Sequence, residues 1–377
     1  MRIAINTRFL IKNKLEGIGW FTKETVQRIV QQHPEHEFFL LFDRPWDNDF
    51  VFAPNVTPVK LFPPARHPFL WILWFEVAVA RFLKRHRIDL FVSTDGQIPL
   101  TSKVPAVSVI HDINFEHFPQ NIPFTARCYY RFFFKRFAKK AHRIATVSEY
   151  SKSDICKTYN IPESKIDVVY NGANSAYTPL EPNQVAAVRE RITNGAPYFV
   201  FVGALNPRKN VARLLQAFNL FKQQTNSPLK LVIVGEKMFK TTEISEAYNQ
   251  LSYKDDVVFS GRLNIDQLSQ VTGAALAMVY VPYFEGFGIP ILEAMSCDVP
   301  LVASTKTSIP EVAGEAAYYV DPFSVESIAQ GMKLIATDPH LRDALIAKGR
   351  IQRQRFSWDK TASKLYQCIN TTIEQIC

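Results

Sequence analysis

Glu285-Gly286-Phe287-Gly288-Ile289-Pro290-Ile291-Leu292-Glu293-Ala294-Met295-Ser296-Cys297 is the stretch on which the reading of this chain turns. It follows an apolar run from Ala274 to Val281. Gly286 and Gly288 make a tight turn, and Pro290 then opens an apolar helix, where its missing N–H costs nothing. A buried strand thus delivers its carboxyl end into a loop and a helix N-terminus, the place where open α/β sheets bind ligands.

Glu285 falls in the loop and Glu293 about one turn into the helix. Their spacing lets both carboxylates face one crevice, with the first-turn N–H groups of the helix, beside Gly286, Phe287 and Gly288, turned toward an anion. Two carboxylates and an anion site suit a ligand that carries both hydroxyls and phosphate. The residues alone leave a second reading open, with Glu285 a solvated loop residue and Glu293 a first-turn glutamate favoured by the helix dipole.

With seven residues between the glutamates, the stretch resembles the paired-glutamate motif of the retaining glycosyltransferases of family 4. That resemblance implies the GT-B fold, an α/β architecture of two Rossmann-like domains with parallel sheets facing a cleft and a C-terminal helix crossing back to the first domain. The implied division is 1–180 for an acceptor domain, 181–355 for a nucleotide-sugar domain, and 356–377 for the returning helix.

The bounds agree. A chain of 377 residues is too long for one core and suits two domains. It is 47% hydrophobic and 21% charged, an ordinary globular balance. The opening Met1-Arg2-Ile3-Ala4-Ile5-Asn6 begins at once with a strand and has no charged-then-apolar leader, which predicts a chain that is not secreted. Cysteines 128, 156, 297, 368 and 377 show no paired spacing and read as reduced thiols of a cytoplasmic protein. The segment Phe69 to Leu83 is interrupted by Glu76 and Arg81 and is shorter than the roughly 20 residues of a membrane span, so it reads as a buried or surface-lying helix.

Net charge is +9, and the excess is uneven. Residues 127–143 (RCYYRFFFKRFAKKAHR) interleave Lys and Arg with aromatics at helical spacing. One reading is a helix whose aromatics are core and whose cations are solvated. The other is a helix lying on an anionic membrane surface, which would make the protein peripheral on the inner face of the membrane. Nucleic acid is not expected as a partner.

In the first half, the strand Arg2 to Asn6 runs into a loop, Lys12 to Trp20, before a helix from about Phe21 to Gln32. Gly17 and Gly19 in that loop would let backbone N–H groups approach a phosphate or a sugar. A strand at Phe38 to Phe42 precedes a Pro-rich connector, Pro54 to Pro68. The strand Pro105 to Ile110 ends in His111-Asp112, which places an imidazole able to donate to a sugar hydroxyl, and a carboxylate able to accept from one, at the sheet edge. A capping Asp and a structural His are the alternative. Similarity to the family sets His111 near the donor sugar and Asp112 near the acceptor. It also lays Gly17 and Gly19 against the donor diphosphate. A polar linker from Ala173 to Gln184 ends this half.

The second half opens with the apolar strand Tyr198 to Gly203 and a loop containing Arg208 and Lys209 ahead of a helix from Val211. Cations beside a helix N-terminus oppose the dipole, which suggests that they serve a ligand, and a guanidinium fork with an ammonium suits a diphosphate. The resemblance assigns them that role, and it makes Arg262 and Leu263, after the strand Val257 to Gly261, candidates for contact with the base. The resemblance implies cations in place of a divalent ion at the diphosphate, so no cofactor or metal is expected.

The resemblance therefore implies a hexosyltransferase that takes a nucleotide-sugar donor and retains anomeric configuration. The acceptor would be a glycan or a lipid-linked acceptor in cell-surface polysaccharide or lipopolysaccharide assembly. Gly17-Ile18-Gly19 and the stretch from His111 to Glu116 resemble mannosyltransferases, which points first to GDP-mannose and next to UDP-glucose or UDP-N-acetylglucosamine. A UDP-sugar epimerase of the same fold, or a non-catalytic sugar-nucleotide or membrane-binding module, are the alternatives.

Overall fold

A computed structural model of the chain describes residues 1–236 and 242–376. Helical segments separate almost every pair of successive strands, and such crossovers impose parallel pairing. Two parallel sheets result. The first contains β1 (Arg2–Asn6), β2 (Glu37–Phe42), β3 (Val56–Lys60), β4 (Leu90–Ser93), β5 (Ala106–Val109), β6 (Arg143–Thr146) and β7 (Ile166–Val168), in the order β3-β2-β1-β4-β5-β6-β7. The second contains β8 (Tyr198–Val202), β9 (Lys230–Val234), β10 (Val257–Gly261), β11 (Ala277–Tyr280), β12 (Leu301–Ser304) and β13 (Ala317–Val320), in the order β10-β9-β8-β11-β12-β13. One compact unit comprises residues 1–171 with the segment from 357 onward, and the other comprises 172–356.

Central strands are apolar on both faces because helices cover both. Ile3, Ala4 and Ile5 of β1, and Tyr198 to Phe201 of β8, are all buried. In each sheet the order reverses at one seam, β1 beside β4 and β8 beside β11. Loops leaving such a pair diverge to opposite faces and open a crevice at the carboxyl ends.

At the first seam an ion pair closes the strand ends. Arg8 Nε lies 2.5 Å from Asp95 Oδ2, and both residues are buried. Ser93 Oγ and the Gln97 N–H donate to the other carboxylate oxygen at 3.0 and 3.1 Å. The guanidinium also faces the rings of Phe9, Trp71 and Phe75.

Several local expectations need correction. The Pro-rich connector contains strand β3, and Pro58 is tolerated in it because β3 is the sheet edge, where one row of N–H groups has no ladder partner. The first helix is Gly17–Gln32, so Gly17 and Gly19 lie in its first turn and not in the preceding loop. A Cβ on Gly19 would stand 2.9 Å from the Phe9 carbonyl oxygen, so close packing of that loop against the helix already demands a glycine. The linker gives way to a helix at Pro182–Thr193, and the division between units falls at Asn171 rather than at residue 180. Leu180 packs where a Cβ on Gly273 of the second unit would be.

The basic helix is Phe124–Lys140. Arg143 is not on it: it begins β6 and pairs with Asp167 at 2.7 Å. Tyr129, Phe134 and Phe137 are buried, while Phe124 and Phe132 remain exposed among Arg131, Lys135, Arg136, Lys139 and Lys140. Trp71 stacks on Tyr130, which ties this helix to the apolar segment 68–85. That segment is helical, with a π-helical stretch at Trp74–Val79, and Glu76 is accounted for because its carboxylate accepts the N–H groups of Leu100 and Thr101 at 2.8 and 2.9 Å. Among the described residues, no helix is long and apolar enough to cross a membrane.

The last helix, Trp358–Ile376, packs within the first unit. Trp358 meets Phe21 edge to face, and Tyr366 stacks on His33. Ser357 Oγ accepts the Lys360 N–H at 3.2 Å and is the cap, whereas Asp359 instead takes Arg28 at 2.7 Å. Cys377 lies outside the described residues; Cys128, Cys156, Cys297 and Cys368 are free thiols.

Removing one partner of a buried ion pair strands the other charge. Asp95→Asn is therefore expected to lower the stability of the first unit by about 3 kcal/mol, read from urea unfolding followed by tryptophan fluorescence.

Candidate active site

The second seam brings the principal candidates together. β8 and β11 are bonded neighbours, so the loop after Val202 and the loop after Tyr280 leave the sheet side by side. Asn210 holds the first loop in place from a left-handed conformation (φ 62°), and its amide donates to the carbonyls of Val281 at 2.9 Å and Pro322 at 2.6 Å. The short 3-10 turn Pro207–Lys209 is thereby aimed at Glu285.

Arg208 Nη1 donates to Glu285 Oε1 at 2.6 Å and to the Phe284 carbonyl at 3.2 Å. Lys209 Nζ lies 2.5 Å from the same carboxylate oxygen and donates to the Tyr280 hydroxyl at 2.6 Å. Glu285 is only 6% exposed. Burial would push its pKa up, but Arg208 and Lys209 together outweigh burial and hold the carboxyl below the usual glutamate value. The backbone is braced as well. Thr307 Oγ1 accepts the Glu285 N–H at 3.2 Å, and Ser308 Oγ donates to the carbonyls of Glu285 and Phe287 at 2.9 and 3.1 Å. The Glu285 N–H is thus committed to Thr307.

Gly288 starts the helix Ile289–Ser296 from φ 99°, a left-handed conformation that only glycine adopts without strain. Glu293 sits a turn further along. Burial pushes its pKa up to about 7, opposed by the Tyr177 hydroxyl and the Lys209 ammonium. Lys209 therefore influences both glutamates. Arg262 and Leu263 follow β10, two strands away from β8 in the sheet.

In the first unit, His111 follows β5. Its Nε2 is 2.9 Å from the Thr94 carbonyl, which can only accept, so Nε2 carries the proton. Burial also lowers the His111 pKa, against the hydrogen bond to Thr94 and the charges of Asp112 and Asp95. A neutral ring that donates through Nε2 offers only the Nδ1 lone pair, an acceptor where a donor to a sugar hydroxyl was expected. Asp112 Oδ1 accepts the Asn114 N–H at 3.0 Å and its amide at 2.5 Å, an Asx turn just ahead of the short helix Asn114–His117, whose N-cap is Ile113.

Sequence reasoning missed Tyr280, Asn210, Thr307 and Ser308. Tyr280 reads as one more apolar strand residue, and its hydroxyl gains significance only because Lys209 arrives from the neighbouring strand. An Asn immediately before a helix was the available signal for Asn210, since Asn tolerates the left-handed region.

Paired Rossmann-like sheets, with cations and carboxylates gathered at a strand-order reversal, define an enzyme of the GT-B class. The description "Glycosyl transferases group 1" matches residues 185–352, and "Glycosyltransferase Family 4" matches residues 15–177. The chain is 30% identical over 365 residues to the O-antigen chain mannosyltransferase B of Escherichia coli, covering 94% of this chain and 96% of that protein. It is 28% identical to the O-antigen chain mannosyltransferase RfbU of Salmonella typhimurium, covering 77% of each. Among solved structures, Anabaena Alr3699/HepE in complex with UDP and glucose superposes with a TM-score of 0.77 at 18% identity, over 98% of this chain and 99% of that one. The chain belongs to glycosyltransferase family 4. It is a GT-B hexosyltransferase, and the epimerase reading is not favoured.

Glu293 has a consequence for stability. An unfolded glutamate ionises near 4.5, but Glu293 in the fold keeps its proton up to about 7. Between those values the folded state binds the extra proton, so stability falls as pH rises through the window. Glu293→Gln is expected to remove that part of the slope, on the order of 3 kcal/mol, and to be the more stable protein at pH 8. Unfolding midpoints measured from pH 4.5 to 8 check this.

Proposed function

We propose that the chain transfers a mannosyl group from GDP-mannose to a glycan or lipid-linked acceptor in surface polysaccharide assembly, with retention of configuration and without a metal ion. The observation that carries it is the Arg208–Glu285–Lys209 cluster at the β8/β11 seam. The names of the O-antigen mannosyltransferases favour mannose among the hexoses.

In this reading the bond from the anomeric carbon to the phosphate oxygen breaks, and the acceptor hydroxyl, losing its proton, forms the new glycosidic bond. Negative charge grows on the departing diphosphate. Arg208 supplies a fork and Lys209 a point charge to it, and both act more strongly on the transition state than on the ground state. Glu285 faces the sugar, Glu293 accepts from the ribose hydroxyls, and Arg262 and Leu263 border the base. Of the first-unit residues, His111 accepts from a hydroxyl of the donor sugar, Asp112 serves the acceptor, and Gly17 and Gly19 lie against the diphosphate.

The exposed face of the helix Phe124–Lys140 supports a site on an anionic membrane surface at the inner face of the membrane. Phe124 and Phe132 would enter the headgroup layer, and the surrounding cations would meet lipid phosphates.

GDP and GDP-mannose are expected to raise the melting temperature selectively, by about 2.7 kcal/mol of added stability at a hundredfold excess over Kd. A preference for UDP-sugars would overturn the mannose assignment, and no shift with any nucleotide would overturn the donor site. Glu285→Gln should lower turnover by about a hundredfold or more, and EDTA should leave wild-type turnover unchanged. The protein should also sediment with anionic vesicles in low salt, and Lys135→Glu/Arg136→Glu should abolish this. Retention in the supernatant would refute membrane association.

A further inference from the structure

Arg208 and Lys209 converge on a single atom, Oε1 of Glu285, at 2.6 and 2.5 Å. Side-chain exposures are 24% for Arg208, 10% for Lys209 and 8% for Glu285. A guanidinium and an ammonium brought this close inside a protein repel one another unless an anion lies between them. Without a ligand, that anion is Glu285.

The surrounding bonds separate what is fixed from what can move. Each cation has a second anchor that does not involve Glu285. Arg208 Nη1 also reaches the Phe284 carbonyl, and Lys209 Nζ also reaches the Tyr280 hydroxyl, with the Tyr280 ring 5.0 Å from the ammonium. The Glu285 backbone is held separately, through its N–H to Thr307 and its carbonyl to Ser308. Rotation of one side chain would therefore vacate the space between the cations while leaving both cations and the loop in place.

We infer that Glu285 is the internal anion of the empty donor site: its carboxylate holds the position of the donor diphosphate between Arg208 and Lys209, and an arriving diphosphate displaces it toward the sugar. This rests on the reading of Arg208 and Lys209 as diphosphate ligands. It couples two recognition events. The carboxylate becomes available to the sugar hydroxyls only when phosphate oxygens have replaced it on the cations, so a sugar without a diphosphate meets an engaged glutamate. After transfer, the nucleoside diphosphate has lost the sugar that engaged Glu285, and the carboxylate competes with it for the same two cations, which hastens its release.

The discriminating probe is inorganic pyrophosphate, which carries the charge without base or sugar, followed by GDP and UDP. Isothermal titration of Glu285→Gln is expected to give pyrophosphate binding about tenfold tighter than wild type, because the amide fills the same space but no longer competes as an anion. Arg208→Gln is expected to weaken pyrophosphate binding by at least the same factor. Equal or weaker binding by Glu285→Gln, together with loss of binding by Arg208→Gln, would overturn the exchange while leaving the diphosphate site intact. Unchanged binding by Arg208→Gln would overturn both. Should Glu285→Gln fail to fold, Glu285→Asp keeps the charge but withdraws it by one methylene. It is expected to bind pyrophosphate more tightly than wild type, and no gain there would equally overturn the exchange.

Discussion

A carboxylate buried beside two cations is the constraint on which the second unit depends. Burying Glu285 alone, or Arg208 and Lys209 alone, would cost several kcal/mol per ion. Bringing them together requires the loops after β8 and β11 to meet, which requires those strands to be neighbours, which in turn requires the sheet to reverse its order between them. Asn210, Thr307 and Ser308 serve the same end, because each spends its hydrogen bonds on the backbone that presents the three charges.

A like arrangement governs the first unit with a different outcome. Arg8 and Asp95 are also a buried pair at a seam, but Ser93 and the Gln97 N–H complete the Asp95 carboxylate, and aromatic rings enclose the guanidinium. Every group there has found its partner within the protein. The cluster at β8/β11 differs in that two cations share one carboxylate oxygen. A one-to-one pair suits a structural role, and two cations converging on one oxygen at a strand-order reversal suit an anionic ligand.

Much of this was legible from residue patterns. Apolar runs alternating with amphipathic segments are enough to imply parallel sheets, and glycine, proline and glutamate spacing from Glu285 to Glu293 marks the site. Strand β3 was not legible, because Pro54, Pro58, Pro63, Pro64 and Pro68 argue against a strand, and only the edge position of β3 makes Pro58 admissible. Nor was the extra turn that takes Gly17 and Gly19 into the first helix. A glycine in the first turn is disfavoured by propensity, and the Phe9 carbonyl that requires Gly19 is supplied by a loop whose path no local pattern reveals.

The protonation of His111 illustrates a different limit. An imidazole at a sheet edge can be identified from sequence as a ligand group, but whether it donates or accepts depends on what holds its other nitrogen. Here that partner is the Thr94 backbone carbonyl, which carries no side-chain signature at all. Thr94 is itself held by its hydroxyl, which donates to the Asn6 carbonyl at the end of β1 and lies 2.9 Å from Thr22 Oγ1 in the first helix. The chemistry offered by one histidine at the end of β5 is thus set by packing at the β1/β4 seam. The fold therefore acts on function by assigning protons and partners to groups that the sequence can name but not orient.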